Sequence, residues 1–126
     1  MVLPNLEQVR AAFERRFREP ETAIQTLMVL CHANSVHHGF WDAPNPNFGE
    51  KIALIHSELS EALEADRAND APDGHLPEFP GRAVELADAL VRIFDTAAGF
   101  DIPLAEAFVA KMKYNIDRPV KHGKKY

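Results

Sequence analysis

The sequence predicts an all-α protein, an antiparallel bundle of about four to five helices, and three observations lead there. Apolar residues recur at three- and four-residue spacing along most of the chain, which is the period of one helix face. No stretch shows the strict alternation of a half-buried strand. Clusters of proline, glycine and asparagine separate the amphipathic stretches, and the short connections they leave favour helices packed against their neighbours.

Taken in order, Asn5 is placed to cap a first helix with Leu6, Val9, Phe13 and Phe17 on one face. Glu19-Pro20 is expected to interrupt it, because proline disfavours helix at the residue before it. A second helix is predicted from Glu21 to His38, with Ile24, Leu27, Leu30 and Cys31 inward and Gly39 as its stop. Phe40 to Asn47, with Pro44 and Pro46, reads as a loop. The third helix starts near Phe48 and runs to about Arg67, with Ile52, Ile55, Leu59 and Leu63 inward. Asn69 to Pro80 is a loop by its turn residues. A fourth helix covers Arg82 to Ala98 and ends at Gly99. Pro103 suits the first turn of a fifth, which carries Leu104, Ala105, Phe108, Val109, Met112 and Ile116 on one face and should stop by Pro119.

At 126 residues, with 46% hydrophobic and 26% charged side chains, the chain has the composition of one ordinary globular domain. Its core is expected over about residues 20–118, followed by a basic tail, 119–126. So small a domain favours self-association, as a dimer or tetramer. No apolar run reaches the ~18 residues of a membrane span, and the start lacks a signal-peptide pattern. A cytoplasmic protein with no membrane partner is the expectation. Cys31 stands alone, which excludes an internal disulfide and fits a small buried hydrophobe.

The net charge of −5 argues against a nucleic-acid polymer as partner. Its distribution is uneven. Six basic residues and one acid lie from Lys111 onward, against eight basic and eighteen acidic residues before it. That end is either a solvated tail or a source of cations for an anionic ligand.

The chemistry is concentrated in two acidic pairs. Glu58 and Glu61 lie three apart in the third helix, and Glu85 and Asp88 three apart in the fourth. Such spacing puts both members of a pair on one helix face. On the fourth helix the apolar residues cover more than half the circumference, and Glu85, Asp88, Arg92 and Asp95 share the remaining stripe. A helix so apolar is packed on more than one side, and its acidic stripe then faces a cleft. Like charges gathered there repel unless a cation lies between them, and oxygen donors suit Mg2+, or Mn2+. The alternative is a solvated acidic face on a non-catalytic helical interaction module.

With those carboxylates in place, the chain resembles the MazG-like all-α nucleoside triphosphate pyrophosphohydrolases. The resemblance rests on Glu58-Leu59-Ser60-Glu61, on Glu85-Leu86-Ala87-Asp88, and on Lys111-Met112-Lys113-Tyr114-Asn115-Ile116-Asp117-Arg118, similar to the family's K-x-x-x-N-x-x-R segment. It covers about Phe40 to Arg118. Ser57 stands where many members carry a further glutamate, which bears on the number of metal ions. The loop around Trp41-Asp42 looks more like the dCTP pyrophosphatase type than the phosphoribosyl-ATP pyrophosphohydrolase type, although no segment assigns a nucleobase.

The resemblance implies hydrolysis of a nucleoside triphosphate to the monophosphate and pyrophosphate by a metal-activated water. Glu58, Glu61, Glu85 and Asp88 are then the candidate metal ligands and catalytic carboxylates, one glutamate serving to position or deprotonate the water. Another pyrophosphate-linked nucleotide as substrate is the nearest alternative. Lys111, Asn115 and Arg118, at four- and three-residue spacing, are candidates for phosphate or sugar contacts, or simply a polar flank. Trp41 is either a stacking platform for a base or a core lid. Asn47 caps a helix or contacts a nucleoside, and His56 borders the first acidic pair. The remaining histidines lack zinc-ligand spacing.

Overall fold

The computed structural model describes Asn5, Glu7, Gln8, Ala11 and residues 18–126, with Arg18 described by its backbone only. Among these residues there are four α-helices: α1 (Arg18–His37), α2 (Phe48–Arg67), α3 (Gly81–Gly99) and α4 (Leu104–Ile116). A 3-10 turn, Val120–Gly123, follows. A bridge between Pro72 and Pro80 is the sole strand-like pairing among the described residues. The fold is all-α, as the periodicity predicts.

Two compact units make up the chain, Leu27–Ile102 and a second built from Met1–Thr26 with Pro103–Tyr126. In the latter, Ala105, Val109 and Ile116 recur along one face of α4 and are buried. Gln25 donates a side-chain hydrogen bond to Glu106 at 3.2 Å. Asn5 and Gln8 satisfy each other's backbone N–H groups with their side chains, both at 2.9 Å, the reciprocal pairing of a helix start. Leu6, Val9, Phe13 and Phe17, the expected inner face of the first helix, lie outside the described residues.

The Leu27–Ile102 unit is organised by a helical hairpin. Arg82 at the start of α3 meets Asp66 near the end of α2, while Arg92 further along α3 meets Glu58 further back in α2. The two helices therefore run antiparallel. Asn47 caps α2, its side chain accepting from Glu50 N, so the simpler of its two expected roles is realised. The loop between the helices is pinned at both ends. Asp73 accepts from the backbone N–H groups of His75 and Leu76, and Asp70 accepts from Arg82 N at 2.9 Å. Those backbone donors hold both carboxyls below the ordinary aspartate range, the Arg82 guanidinium assisting at Asp70. Gly81 lets the helices close up, because a Cβ there would fall 3.1 Å from the Ala65 methyl.

Two expectations need correction. The second helix begins at Arg18, three residues before the expected Glu21, so Glu19 and Pro20 lie in the first turn of α1, where the fixed φ of proline is tolerated, and residues 12–17 just before it lie outside the described residues. Several residues expected inward are exposed. Leu59, Leu63, Leu86 and Leu90 are each about half exposed, and Leu27, Leu30 and Phe108 are also open. Periodicity identifies the apolar face of a helix, but not what covers it. Ala89 and Ala97 are buried and Ile52, Ile55, Ile93 and Phe94 half-buried, so the hairpin's core is built from small residues and part-covered large ones.

Candidate metal centre

The first acidic pair sits mid-way along α2, where Asn47 and the loop pairings fix the register of the helix against α3. Glu58 is buried, Glu85 is half-buried and Glu61 is exposed. Each offers a carboxylate oxygen, and these oxygens lie within 4.8 Å of one another. The hairpin thus brings together three of the four expected ligands. Asp88 is outside that trio. It lies one helical turn beyond Glu85 and lines an adjoining cavity.

The cost of gathering these charges is visible at Glu85. Burial raises its carboxyl above the ordinary glutamate range, and the negative charges of Glu61, Glu58, Asp88 and Asp73 push the same way. Glu58 is treated differently. Arg92, one turn beyond Asp88 on α3, places its Nε 2.5 Å from Glu58 Oε1. The most buried acid of the site therefore carries its own counter-ion.

A cavity of about 340 Å³ adjoins the cluster within the same unit. Glu58, Asp88 and Arg92 line it, together with Ser35, Lys51 and Asp95 among others. Asp95 is buried and accepts three bonds at 2.8 Å, from Ser35 Oγ, Trp41 Nε1 and His32 Nδ1. It ties the loop after α1 to α3. The His32 and Trp41 rings meet edge to face with centroids 4.9 Å apart. Burial, with the Asp95 charge assisting, pushes the nearby Cys31 thiol upward.

Trp41 is held in place on several sides. Its indole covers Gly99, where an added Cβ would lie 2.1 Å from ring carbon Cη2, and it contacts Phe100 edge to face. Lys51 Nζ stands 4.2 Å from the Trp41 ring centroid and donates to the Phe40 carbonyl. Trp41 is thus part of the packing that supports the cavity, and it is not among the cavity's lining residues.

Lys111, Asn115 and Arg118 belong to the Pro103–Tyr126 unit. Lys111 and Arg118 both approach the Tyr114 ring, at 4.9 and 5.5 Å from its centroid. Asn115 Oδ1 is buried without a hydrogen-bond partner. His56 is exposed, its carbonyl accepting from Ser60 Oγ. No protein-family model, curated protein or solved structure matches this chain.

Two features escaped the sequence reading. Arg92 was legible only as a member of the polar stripe, yet its four-residue step from Asp88 was enough to put a cation beside the acids. The pairing of Asp95 with His32, Ser35 and Trp41 spans 54 to 63 residues along the chain, and no local pattern announces it.

The donor set fits a hard divalent cation. All three converging groups are carboxylates, no thiol or imidazole joins them among the described residues, and the charged form of Glu85 is disfavoured by burial and by its neighbours' charge.

Proposed function

We propose that this chain is a metal-dependent pyrophosphohydrolase of the MazG-like kind, which cleaves a nucleoside triphosphate to the monophosphate and pyrophosphate. The observation that carries the reading is the convergence of Glu58, Glu61 and Glu85, of which Glu58 also lines a cavity that presents Arg92 and Lys51. Carboxylates alone repel a polyphosphate. A cavity lined by both acids and cations suits a ligand delivered together with a metal ion.

Glu58, Glu61 and Glu85 are the residues that hold Mg2+ or Mn2+ in this reading, and Asp88 is the fourth carboxylate of the site. When bound, the ion supplies charge neutralisation between carboxylates and phosphate and acidifies a water. The remaining contributions belong to the protein. Lys51 offers positive charge at the cavity. A panel of canonical and modified nucleotides, assayed with Mg2+ and resolved by chromatography, tests the reading. Formation of a monophosphate and pyrophosphate in equal amounts is the expected result, and no turnover of any nucleotide would remove it.

The half-exposed leucines of the hairpin support a homo-oligomer, a dimer or tetramer, because apolar side chains left open along two adjacent helices favour burial against a second copy. No helix among the described residues is long and apolar enough to cross a membrane, which is compatible with the proposed cytoplasmic setting. A second reading, a non-catalytic interaction module, draws on the Arg92–Glu58 pair, which neutralises part of the acidic cluster from within. Metal titration separates the two, since solvated carboxylates bind no ion with defined stoichiometry.

A further inference from the structure

The Arg92–Glu58 pair sets a problem for any cation that uses Glu58. Glu58 is the most buried of the clustered acids, its side chain 8% exposed, and a buried carboxylate needs a counter-charge. Arg92 supplies one from the facing helix, and its own side chain is 39% exposed and lines the cavity. A divalent ion held by Glu58, Glu61 and Glu85 would take over that counter-charge. The guanidinium would then face a like charge nearby, and its attraction to Glu58 would fall.

We propose that Arg92 is an exchangeable counter-ion, which occupies Glu58 before metal binds and is released by the metal to bind a pyrophosphoryl group in the cavity. This rests on the metal-dependent reading above and adds to it a coupling between the two ligands. Before metal binds, Arg92 is engaged by Glu58 and the cavity presents a neutralised pair to an anion. Once the metal holds Glu58, the planar fork of Arg92 is available, and such a fork matches paired phosphate oxygens. Metal and polyphosphate therefore each strengthen the other's binding, as reciprocal linkage requires. Arg92 and Glu58 both line the cavity, so the exchange calls for a movement of the Arg92 side chain only.

The test compares the full-length protein with its Arg92→Gln and Arg92→Lys variants by isothermal titration, after circular dichroism confirms their helical content. Mn2+ alone is titrated first. Arg92→Gln frees Glu58, and Mn2+ should bind about tenfold more tightly, the scale on which partners of liganding carboxylates alter metal affinity. Inorganic pyrophosphate and an α,β-methylene nucleoside triphosphate are then titrated at saturating Mn2+. Both should bind at least about tenfold more weakly to Arg92→Gln, as expected when a charged hydrogen bond to phosphate is lost. Arg92→Lys, which keeps charge but not the fork, should move both affinities in the same directions by less, and it carries the test if Arg92→Gln does not fold.

Mn2+ affinity that is unchanged or weaker in the variants overturns the proposal, since Arg92 would then merely position Glu58. Loss confined to the nucleotide analogue also overturns it, because the contact would not be to pyrophosphate. Wild-type protein that binds no Mn2+ removes the metal-dependent reading itself, and this inference with it.

Discussion

Replacing Glu85 by glutamine should stabilise the metal-free protein while it weakens the metal-bound one, a reversal that ordinary surface substitutions do not produce. The side chains are nearly isosteric and of similar helix propensity, so the perturbation is the charge. Glu58 is compensated by Arg92, which leaves Glu61 as the main uncompensated neighbour, with a carboxylate oxygen within 4.8 Å. Two unit charges at that range repel by about 1 kcal/mol at the dielectric of water and by a few kcal/mol in a shielded site. Glu85 is half-buried, and solvent screening keeps the gain near the lower figure, about 1–2 kcal/mol. For a chain of this length that is a rise of roughly 4–8 °C in melting temperature.

The assay is thermal unfolding of wild type and Glu85→Gln across pH, with and without Mg2+. The folded-state carboxyl of Glu85 is raised, by burial first and then by its acidic neighbours. The folded state then holds a proton that the unfolded state releases at lower pH. Stability associated with this group is complete below the unfolded carboxyl value and is lost as pH rises through the raised one. The advantage of Glu85→Gln should therefore be absent in acid and develop across that window. Metal affinity of the wild type should climb over the same interval, because binding displaces the proton. A metal-free variant that melts below wild type at neutral pH would refute the claim that repulsion dominates at Glu85.

Gly99→Ala should destabilise by about 1–3 kcal/mol in urea unfolding, because the new methyl meets the Trp41 ring and a packed aromatic must shift. Asp95→Ala should cost at least about 1–3 kcal/mol by the same measurement, as it strands the donors of Ser35, Trp41 and His32. Trp41 fluorescence should shift to the red in both variants as the indole leaves its packed position, and an unchanged spectrum would count against that packing.

How much of this was legible in the sequence follows from the range of the interactions involved. The helices were legible because each is a local event. Asn47, Arg82, Gly99 and Pro103 mark boundaries within one or two residues of where they are observed, and a cap or a helix start is decided by groups three or four residues away. The juxtaposition of the acidic pairs was half legible. Spacing put Glu58 with Glu61 and Glu85 with Asp88, but only the hairpin's register determines that Glu85, and not Asp88, completes the trio. That register is set by contacts such as Arg82 with Asp66 and Asp70, which join residues 12 to 16 apart across a loop.

Burial was the least legible property. Leu59 and Leu63 satisfy every periodic criterion for a core and are half exposed, because burial depends on what lies opposite and a single sequence does not say. The same reasoning explains Arg92. On a helical projection it is a polar residue on an acidic stripe, one cation among carboxylates and unremarkable as such. Its meaning comes from Glu58 being the most buried of the three converging acids, so that a counter-charge there is required by solvation as well as attracted by proximity. A stripe read from sequence gives the sign of each charge, whereas the depth of each charge decides which pair is held and which is left to a ligand.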